Sequence, residues 1–274
     1  MSRLLVVQHE GSTGPGWWGE WLAAEGVVLE VVHPYAAQEL PTTQGLRTYD
    51  GLLVLGGAMG PLDDADCPWL PPTRDLLAAA VADGLPTFGI CLGAELLVVA
   101  CGGSVRRGPA GPELGVLTND PTPAAADDPV LSSVSPGTPV LQWHWEEMDA
   151  LPPGAVLLAT SPAYPHQAFR LGPAAWGVQG HPEVTPAIAA DWAREDSPLL
   201  LAAGREPADL VAEVERETPR LVQSWQPVAR AFGGVVAARA AGAGADGGAG
   251  AAGALPLLDD VLGRRGAPPG GATG

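Results

Sequence analysis

Cys91 stands between two glycines in the stretch Gly89-Ile90-Cys91-Leu92-Gly93, where an apolar run gives way to residues that favour a helix. This pattern is typical of a sharp strand-to-helix turn, which lifts the central side chain out of the sheet. A position beside a helix N-terminus favours a thiolate over a thiol. The backbone N–H that follows it is free to stabilise an oxyanion. The stretch therefore predicts a nucleophilic cysteine.

A cysteine nucleophile needs a base that carries protons, and the segment WGVQGHPEV at residues 176–184 offers one. His181 ends a strand-like apolar run, and Glu183 follows two residues later, within reach of the same imidazole. A carboxylate bound to an imidazole fixes its tautomer and orientation. Each motif alone is also explained by a structural residue. Together, Cys91, His181 and Glu183 predict a Cys-His-Glu triad.

The elements that must position these residues are predicted from the hydrophobic pattern. Strands are predicted at 3–7, 27–35, 49–57 and 85–90, and helices at 17–26, at 73–84 with Thr73 as the N-cap, and at 93–103. Continuous apolar strands that alternate with helices are typical of βαβ units, in which a mainly parallel sheet is covered on both faces. We therefore expect an α/β fold with the cysteine at the carboxyl edge of the sheet, where such folds bind ligands.

The remainder of the chain changes character twice. Residues 105–180 contain short strand-like runs separated by proline- and glycine-rich turns, which predict a small antiparallel addition to the same domain. Residues 186–239 are helical, with Pro207 in the first turn of a second helix. Residues 241–274 are rich in Ala, Gly and Pro. Because they have few large apolar side chains to offset the entropy of ordering, we expect a disordered tail.

The composition excludes several classes of function. The 274 residues carry a net charge of −17, which argues against nucleic acid and anionic membrane surfaces as partners. All 14 basic residues are arginine, so chemistry that requires a lysine of this chain is excluded. The three cysteines, Cys67, Cys91 and Cys101, suggest neither a disulfide framework nor a metal site. With no signal-peptide pattern and no membrane-length apolar stretch, we expect a cytoplasmic protein.

The chain resembles class I glutamine amidotransferases, the triad-type glutaminases, and in particular stand-alone members similar to the amidotransferase domain of GMP synthase. The resemblance rests on LVLGGAMG at 53–60, GICLGAEL at 89–96, GPELG at 111–115, QWHWEEMDALPPGAVLLATS at 142–161 and GVQGHPE at 177–183. It implies a flavodoxin-like, doubly wound sheet and no cofactor. It also implies an amidotransferase-like domain over residues 1–240, with a core at 3–195 and C-terminal helices at 186–239.

The same resemblance implies roles for individual residues. Cys91 would attack the side-chain carboxamide of glutamine and form a glutamyl thioester, with His181 as acid and base and Glu183 orienting it. The backbone N–H groups of Gly57 and Leu92 would form the oxyanion hole, and glycine suits this position because it lets the backbone approach a ligand closely.

A second set of residues is implied to bind the substrate, which is glutamine or a γ-glutamyl small molecule. Gln142, Trp143 and His144 lie in a segment that approaches the glutamine pocket in the family, and Glu95 lies where the family has a substrate-contacting glutamine. The resemblance also implies a separate synthetase protein that would receive the ammonia, because this chain shows no synthetase domain.

Two positions depart from the family pattern. Ala58 replaces the proline of Gly-Gly-Pro, and Glu95 replaces the glutamine of C-x-G-x-Gln. An ionised glutamate only accepts hydrogen bonds, whereas an amide also donates them. Glu95 therefore either receives the α-ammonium or a cationic substituent of the substrate, or turns to solvent or to Arg106 or Arg107.

Three hypotheses about function stay open. The chain is a glutaminase that supplies ammonia to a synthetase, a free-standing hydrolase of γ-glutamyl amides or adducts, or a non-catalytic binding protein on the same scaffold. The complete set of Cys91, His181 and Glu183 argues against the third. Glu95 and the missing synthetase domain favour the second over the first without deciding between them.

Overall fold

The computed structural model describes residues 1–246, which form a nine-stranded sheet, a two-stranded sheet and six α-helices. The strands are β1 (Ser2–Val7), β2 (Val27–Val32), β3 (Gly51–Val54), β4 (Thr87–Ile90), β5 (Ser104–Arg107), β6 (Glu113–Pro121), β7 (Thr138–His144), β8 (Glu146–Ala150), β9 (Val156–Thr160), β10 (Ala168–Leu171) and β11 (Ala175–Val178). The helices are α1 (Gly16–Ala24), α2 (Leu70–Ala82), α3 (Leu92–Ala100), α4 (Pro186–Glu195), α5 (Ser197–Ala202) and α6 (Pro207–Asp246).

The parallel half of the large sheet has the order β2-β1-β3-β4-β11, and every neighbouring pair in it is parallel. Trp18 of α1 and Phe232 of α6 pack on one face of this half against Phe88 of β4, while α2 and α3 cover the other face. Covering on both faces explains why these strands are continuous apolar runs. The predicted α/β, flavodoxin-like fold is confirmed.

The antiparallel half continues the same sheet in the order β11-β10-β9-β6-β7, and a separate β5–β8 pair is also antiparallel. One strand differs from the prediction. Residues 175–178 are predicted within the antiparallel addition, but β11 pairs parallel with β4 as well as antiparallel with β10. The tight reversal at Gly172, where φ is +59°, returns the chain along β10 and gives β11 the direction of β4.

The start of one helix also differs from the prediction. Helix α2 begins at Leu70, so Thr73 lies inside it and is not the N-cap. Its hydroxyl donates instead to the carbonyl of Trp69, 2.7 Å away. Proline suits the first turn of a helix because its missing N–H has no intrahelical partner there, and the prolines of this turn therefore extend the helix upstream.

The C-terminal helical region contains three helices. Asp196 separates α4 from α5, and α6 begins at Pro207 as predicted but runs on to Asp246. Helices α4, α5 and α6 pack against the β6–β7 end of the sheet through a third apolar cluster around Trp192 and Leu210. Most of the predicted tail, residues 247–274, lies outside the described residues.

Candidate active site

A cavity of about 220 Å³ opens at the carboxyl edge of the parallel strands. Its wall includes Glu10 after β1, Gly57 after β3, Cys91 after β4 and His181 after β11. Residues that are far apart in sequence meet here because parallel strands all end at the same edge of a sheet.

Cys91 adopts a backbone conformation that is rare for a residue with a side chain, with φ +49° and ψ −109°. Its N–H donates to the carbonyl of Val178 at 2.8 Å, which ties the turn to β11. The two flanking glycines permit the turn. A Cβ at Gly89 would lie 2.6 Å from the carbonyl of Gly93, and a Cβ at Gly93 would lie 2.1 Å from the carbonyl oxygen of Val54. Backbone packing therefore requires the G-x-C-x-G pattern of this turn, residues 89–93, which we call the elbow.

His181 and Glu183 form a buried pair, with 2.8 Å between Nδ1 of the imidazole and Oε1 of the carboxylate. The backbone N–H of His181 donates to the carbonyl of Leu141 at 2.7 Å, and the edge of Trp192 packs against the ring at 4.8 Å between centroids. A Cβ at Gly56 would lie 2.9 Å from the imidazole Cε1 and 3.7 Å from the Cβ of Cys91. The imidazole and the thiol are therefore neighbours across the same glycine.

The pKa of Cys91 differs from the expectation that the helix N-terminus favours a thiolate. Burial raises the pKa of the thiol well above its usual value, and the carboxylates of Glu95 and Glu183 raise it further. The N–H of Leu92 at the start of α3 acts in the opposite direction but does not outweigh them. The helix terminus is present as predicted, but the sequence pattern did not reveal how deeply the elbow is enclosed.

The two backbone groups expected in the oxyanion hole come from two segments, the loop after β3 and the first turn of α3. Leu92 provides its N–H at the first turn of α3, next to the sulfur of Cys91. Gly57 lines the cavity, and a Cβ there would lie 2.9 Å from the Cδ2 of Leu92. The following N–H, of Ala58, donates to Oε1 of Glu10 at 3.1 Å, which fixes this loop without a proline.

Glu95 faces the cavity from the first turn of α3 and is only 3% exposed. Its Oε1 accepts a hydrogen bond from Nε2 of Gln179 at 2.9 Å. Burial raises the pKa of Glu95 to about 7, although this hydrogen bond lowers it. The alternative in which Glu95 turns to solvent or to an arginine is wrong, because Arg106 pairs with Glu147 and Arg107 pairs with Glu146.

The three residues predicted on β7 have different surroundings. Trp143 and His144 line the cavity, whereas Gln142, also predicted to bind the substrate, does not. The Gln142 side chain is fully buried and donates to Gln167 at 2.7 Å and to Asn119 at 3.3 Å. Its position in the strand directs it into a polar network within the sheet, which the motif alone did not indicate.

The family of this chain follows from its similarity to known proteins. The family model described as glutamine amidotransferase class-I matches residues 20–191. The chain belongs to the class I glutamine amidotransferase family. A crystal structure of a glutamine amidotransferase from Thermotoga maritima superposes with a TM-score of 0.76 at 25% identity, covering 85% of this chain and 98% of that one.

Three relatives show the range of the family. A glutamine amidotransferase-like protein of Salmonella typhimurium is 29% identical over 67% of this chain and 76% of its own length. The γ-glutamyl-L-1-hydroxyisopropylamide hydrolase of a Pseudomonas species is 32% identical over 59% of this chain and 56% of its own length. One component of the glutamine-hydrolysing GMP synthase of Haloarcula marismortui is 35% identical over 49% of this chain and 65% of its own length. The chain thus spans less than two thirds of the last two.

Several cavity residues of this amidotransferase were missed by the sequence analysis. They are Glu10 in the loop after β1, Trp192 and Glu195 on α4, and Asp196 between α4 and α5. Their elements are far from the elbow in sequence, and no motif marks them. Gln179, which contacts Glu95 and the Cys91 sulfur, had a signal because it stands two residues before His181.

Neither a metal site nor a membrane span was found in the part of the chain that the structure describes. Within residues 1–246, no group of three or more His, Cys, Asp or Glu side chains is arranged to hold a metal ion. None of the helices in that range is long and apolar enough to cross a membrane.

Proposed function

We propose that this amidotransferase hydrolyses γ-glutamyl amides, among them the side-chain amide of glutamine, through a glutamyl thioester on Cys91. The observation that supports it is the meeting of the Cys91 elbow with the His181–Glu183 pair in one cavity. A nucleophile, a base and a group that orients the base are the parts that thiol-dependent acyl transfer requires.

In the first half of the reaction, the Cys91 sulfur forms a bond to the γ-carbonyl carbon and its proton passes to His181. The oxygen of the resulting tetrahedral intermediate is stabilised by the N–H groups of Gly57 and Leu92. The C–N bond then breaks, and His181 gives the proton to the departing amine. The thioester stays on the enzyme.

In the second half, water attacks the thioester carbonyl and gives a proton to His181. The C–S bond breaks, glutamate leaves, and the proton returns to the sulfur of Cys91. Glu183 holds the imidazole in one orientation throughout and stabilises the imidazolium that forms twice per turnover.

The raised pKa of Cys91 determines when its proton moves to His181. Because burial and two carboxylates oppose the thiolate, the resting group is a thiol. The proton must therefore move to His181 as the sulfur attacks, instead of being lost beforehand. Approach of a substrate carbonyl also displaces solvent from the cavity and strengthens the hydrogen bonds to the oxyanion.

The proposal is tested by measuring glutamate release from glutamine and from a panel of γ-glutamyl amides. Wild-type protein should release glutamate, and Cys91→Ala should not. Cys101→Ala is the matched control, because Cys101 ends α3 away from the cavity. Mass spectrometry of acid-quenched enzyme should detect a glutamyl adduct at Cys91. Equal glutamate release by the wild type and Cys91→Ala would refute the proposal.

A second candidate function shares this chemistry and differs in the fate of the amine. The similarity to the Haloarcula GMP synthase component favours a glutaminase that passes ammonia to a separate synthetase. It predicts slow hydrolysis of glutamine by the protein alone and a faster rate when its synthetase is added. A free-standing hydrolase would show full activity alone.

A further inference from the structure

The cavity wall has an unbalanced charge. Besides Cys91 and the two imidazoles of His144 and His181, its ionisable side chains are five carboxylates and one guanidinium, those of Glu10, Glu95, Glu146, Glu195, Asp196 and Arg107. Arg107 is already paired with Glu146, with 3.3 Å between Nη1 and Oε1. Arg194, outside the wall, lies 3.7 Å from Glu195 but binds Asp191 at 2.7 Å. Neutral glutamine brings no net charge to offset this excess.

The carboxylates fall into two groups by the elements that carry them. Glu10 lies in the loop after β1, and Glu195 and Asp196 lie at the end of α4, which meets that loop where Nε1 of Trp192 donates to the carbonyl of Ser12 at 2.9 Å. Glu95 lies on α3, and Glu146 begins β8, which pairs with the β5 strand that carries Arg107. Within each group the charges act on one another: Glu195 and Asp196 add to the burial that raises the pKa of Glu10, and Glu146 adds to the burial that raises the pKa of Glu95.

The group with Arg107 fits an amino acid. A guanidinium suits an α-carboxylate, and a carboxylate suits an α-ammonium. Glu95 has an oxygen available for this role, because its Oε1 accepts from Gln179 while its Oε2 has no hydrogen-bond partner among residues 1–246. The side chain of Glu95 is therefore held in a buried position, while one of its oxygens faces the cavity without a donor from residues 1–246, which favours a cationic ligand there.

The opposite group has no cation in the cavity wall. Glu10 accepts from the N–H of Ala58, and Asp196 accepts from Nε1 of Trp143 at 2.9 Å, so both are held in place by neutral donors. Three carboxylates fixed near one another repel, and a cation bound among them relieves that repulsion. When the glutamyl unit occupies the first group, the amine that departs as the C–N bond breaks is the part of the substrate that remains for this end.

We propose, on the basis of the proposed function, that the preferred substrates are γ-glutamyl amides whose leaving amine carries a second positive charge. The γ-glutamyl derivative of a diamine has this chemistry. Its glutamyl unit lies between Glu95 and Arg107, and its distal ammonium lies among Glu10, Glu195 and Asp196. The same two-ended charge pattern disfavours amides whose leaving amine carries a carboxylate.

The test compares three γ-glutamyl amides of matched length, those of diaminobutane, pentylamine and aminopentanoate. They place an ammonium, a methyl or a carboxylate at the same distance from the scissile bond. We expect kcat/KM for the diaminobutane derivative to exceed that for the pentylamine derivative by at least about tenfold, and the aminopentanoate derivative to be slowest. The preference should fall as salt is added, because screening weakens partly exposed ion pairs.

Variants locate the source of the preference. Glu10→Gln and Glu195→Gln should each lower the diaminobutane-to-pentylamine ratio, and the double variant should bring it near one. Glu215→Gln, on the exposed side of α6, removes the same charge outside the cavity and should keep the wild-type ratio.

The outcomes separate this inference from the function on which it rests. Equal kcat/KM for the three amides, or a preference that survives in the double variant, would overturn the inference and leave γ-glutamyl hydrolysis intact. If none of the three amides nor glutamine yields glutamate, the proposed function itself fails.

Discussion

Two buried histidine–glutamate pairs lie in this molecule, and they have different surroundings. His181 binds Glu183 at 2.8 Å, and His144 binds Glu113 at 3.0 Å. The first pair follows a parallel strand, and the Nε2 of its imidazole has no hydrogen-bond partner among residues 1–246. The second pair lies in the antiparallel half, and its imidazole is bound on both sides, by the carboxylate and by the carbonyl of Glu146 at 2.7 Å.

The difference lies in how much hydrogen-bonding capacity each pair leaves free. Glu113 also accepts hydrogen bonds from Ser161 at 2.9 Å and from Gln167 at 2.7 Å, so both its oxygens are occupied. Glu183 has one oxygen, Oε2, that is buried without a partner among the described residues. A saturated pair stabilises the fold, whereas an imidazole with a free nitrogen beside a thiol is able to exchange protons. Burial of a histidine–carboxylate pair therefore does not by itself indicate catalysis.

The largest expected effect distinguishes the two histidines by activity. His181→Asn should lower kcat for γ-glutamyl hydrolysis by about 10³-fold, because it removes the proton carrier. His144→Asn should change kcat by less than about tenfold and act instead on stability, because it breaks two buried hydrogen bonds. Steady-state kinetics and thermal unfolding of both variants check this.

The distinction between a catalytic His181 and a structural His144 is wrong if the two variants lose kcat equally while both stay folded. In that case His144, which does line the cavity, takes part in the chemistry and its hydrogen bonds are not merely structural. Circular dichroism before each assay excludes unfolding as the cause.

A smaller effect distinguishes the two carboxylates by stability. Glu113→Gln should lower the free energy of unfolding by about 3 kcal/mol, because its new NH₂ group meets donors from Ser161, Gln167 or the imidazole. Glu183→Gln should cost less than about 1 kcal/mol, since its oxygen can still accept from His181 and its NH₂ takes the unpaired position. Urea unfolding of the two variants measures the difference, and equal losses would contradict it.

The parts of the site that could be predicted are those in which a short stretch of sequence determines the local structure. The elbow at Cys91 was found because contacts with neighbouring backbone require its two glycines, and both glycines are part of the sequence motif. His181 was found because it ends a strand-like apolar run and Glu183 follows two residues later, within reach of the same imidazole. These features depend on residues close in sequence or on a simple rule of parallel sheets.

The rest of the site depends on packing between distant elements. The raised pKa of Cys91 follows from enclosure, which no local pattern encodes. The direction of the Gln142 side chain follows from its register within β7, and a one-residue change would have reversed it. Glu10, Glu195 and Asp196 meet only after α4 and α5 have packed beside the first loop.

The smallest expected effect concerns Glu95, the carboxylate whose pKa is influenced by both histidines. Burial raises its pKa from 4.5 to about 7, so between these values the folded protein retains a proton that the unfolded chain has lost. Stability contributed by this group is therefore complete below pH 4.5 and declines as the pH rises towards 7. Glu95→Gln removes the titration. Relative to wild type, its unfolding free energy should increase by about 2.5 kcal/mol across that interval. Urea unfolding at several pH values, with Glu215→Gln as the surface-charge control, measures the change. A pH-independent difference between Glu95→Gln and wild type would contradict this. It would mean that water hydrates the carboxylate of Glu95 and that its pKa is the same in the folded and unfolded protein.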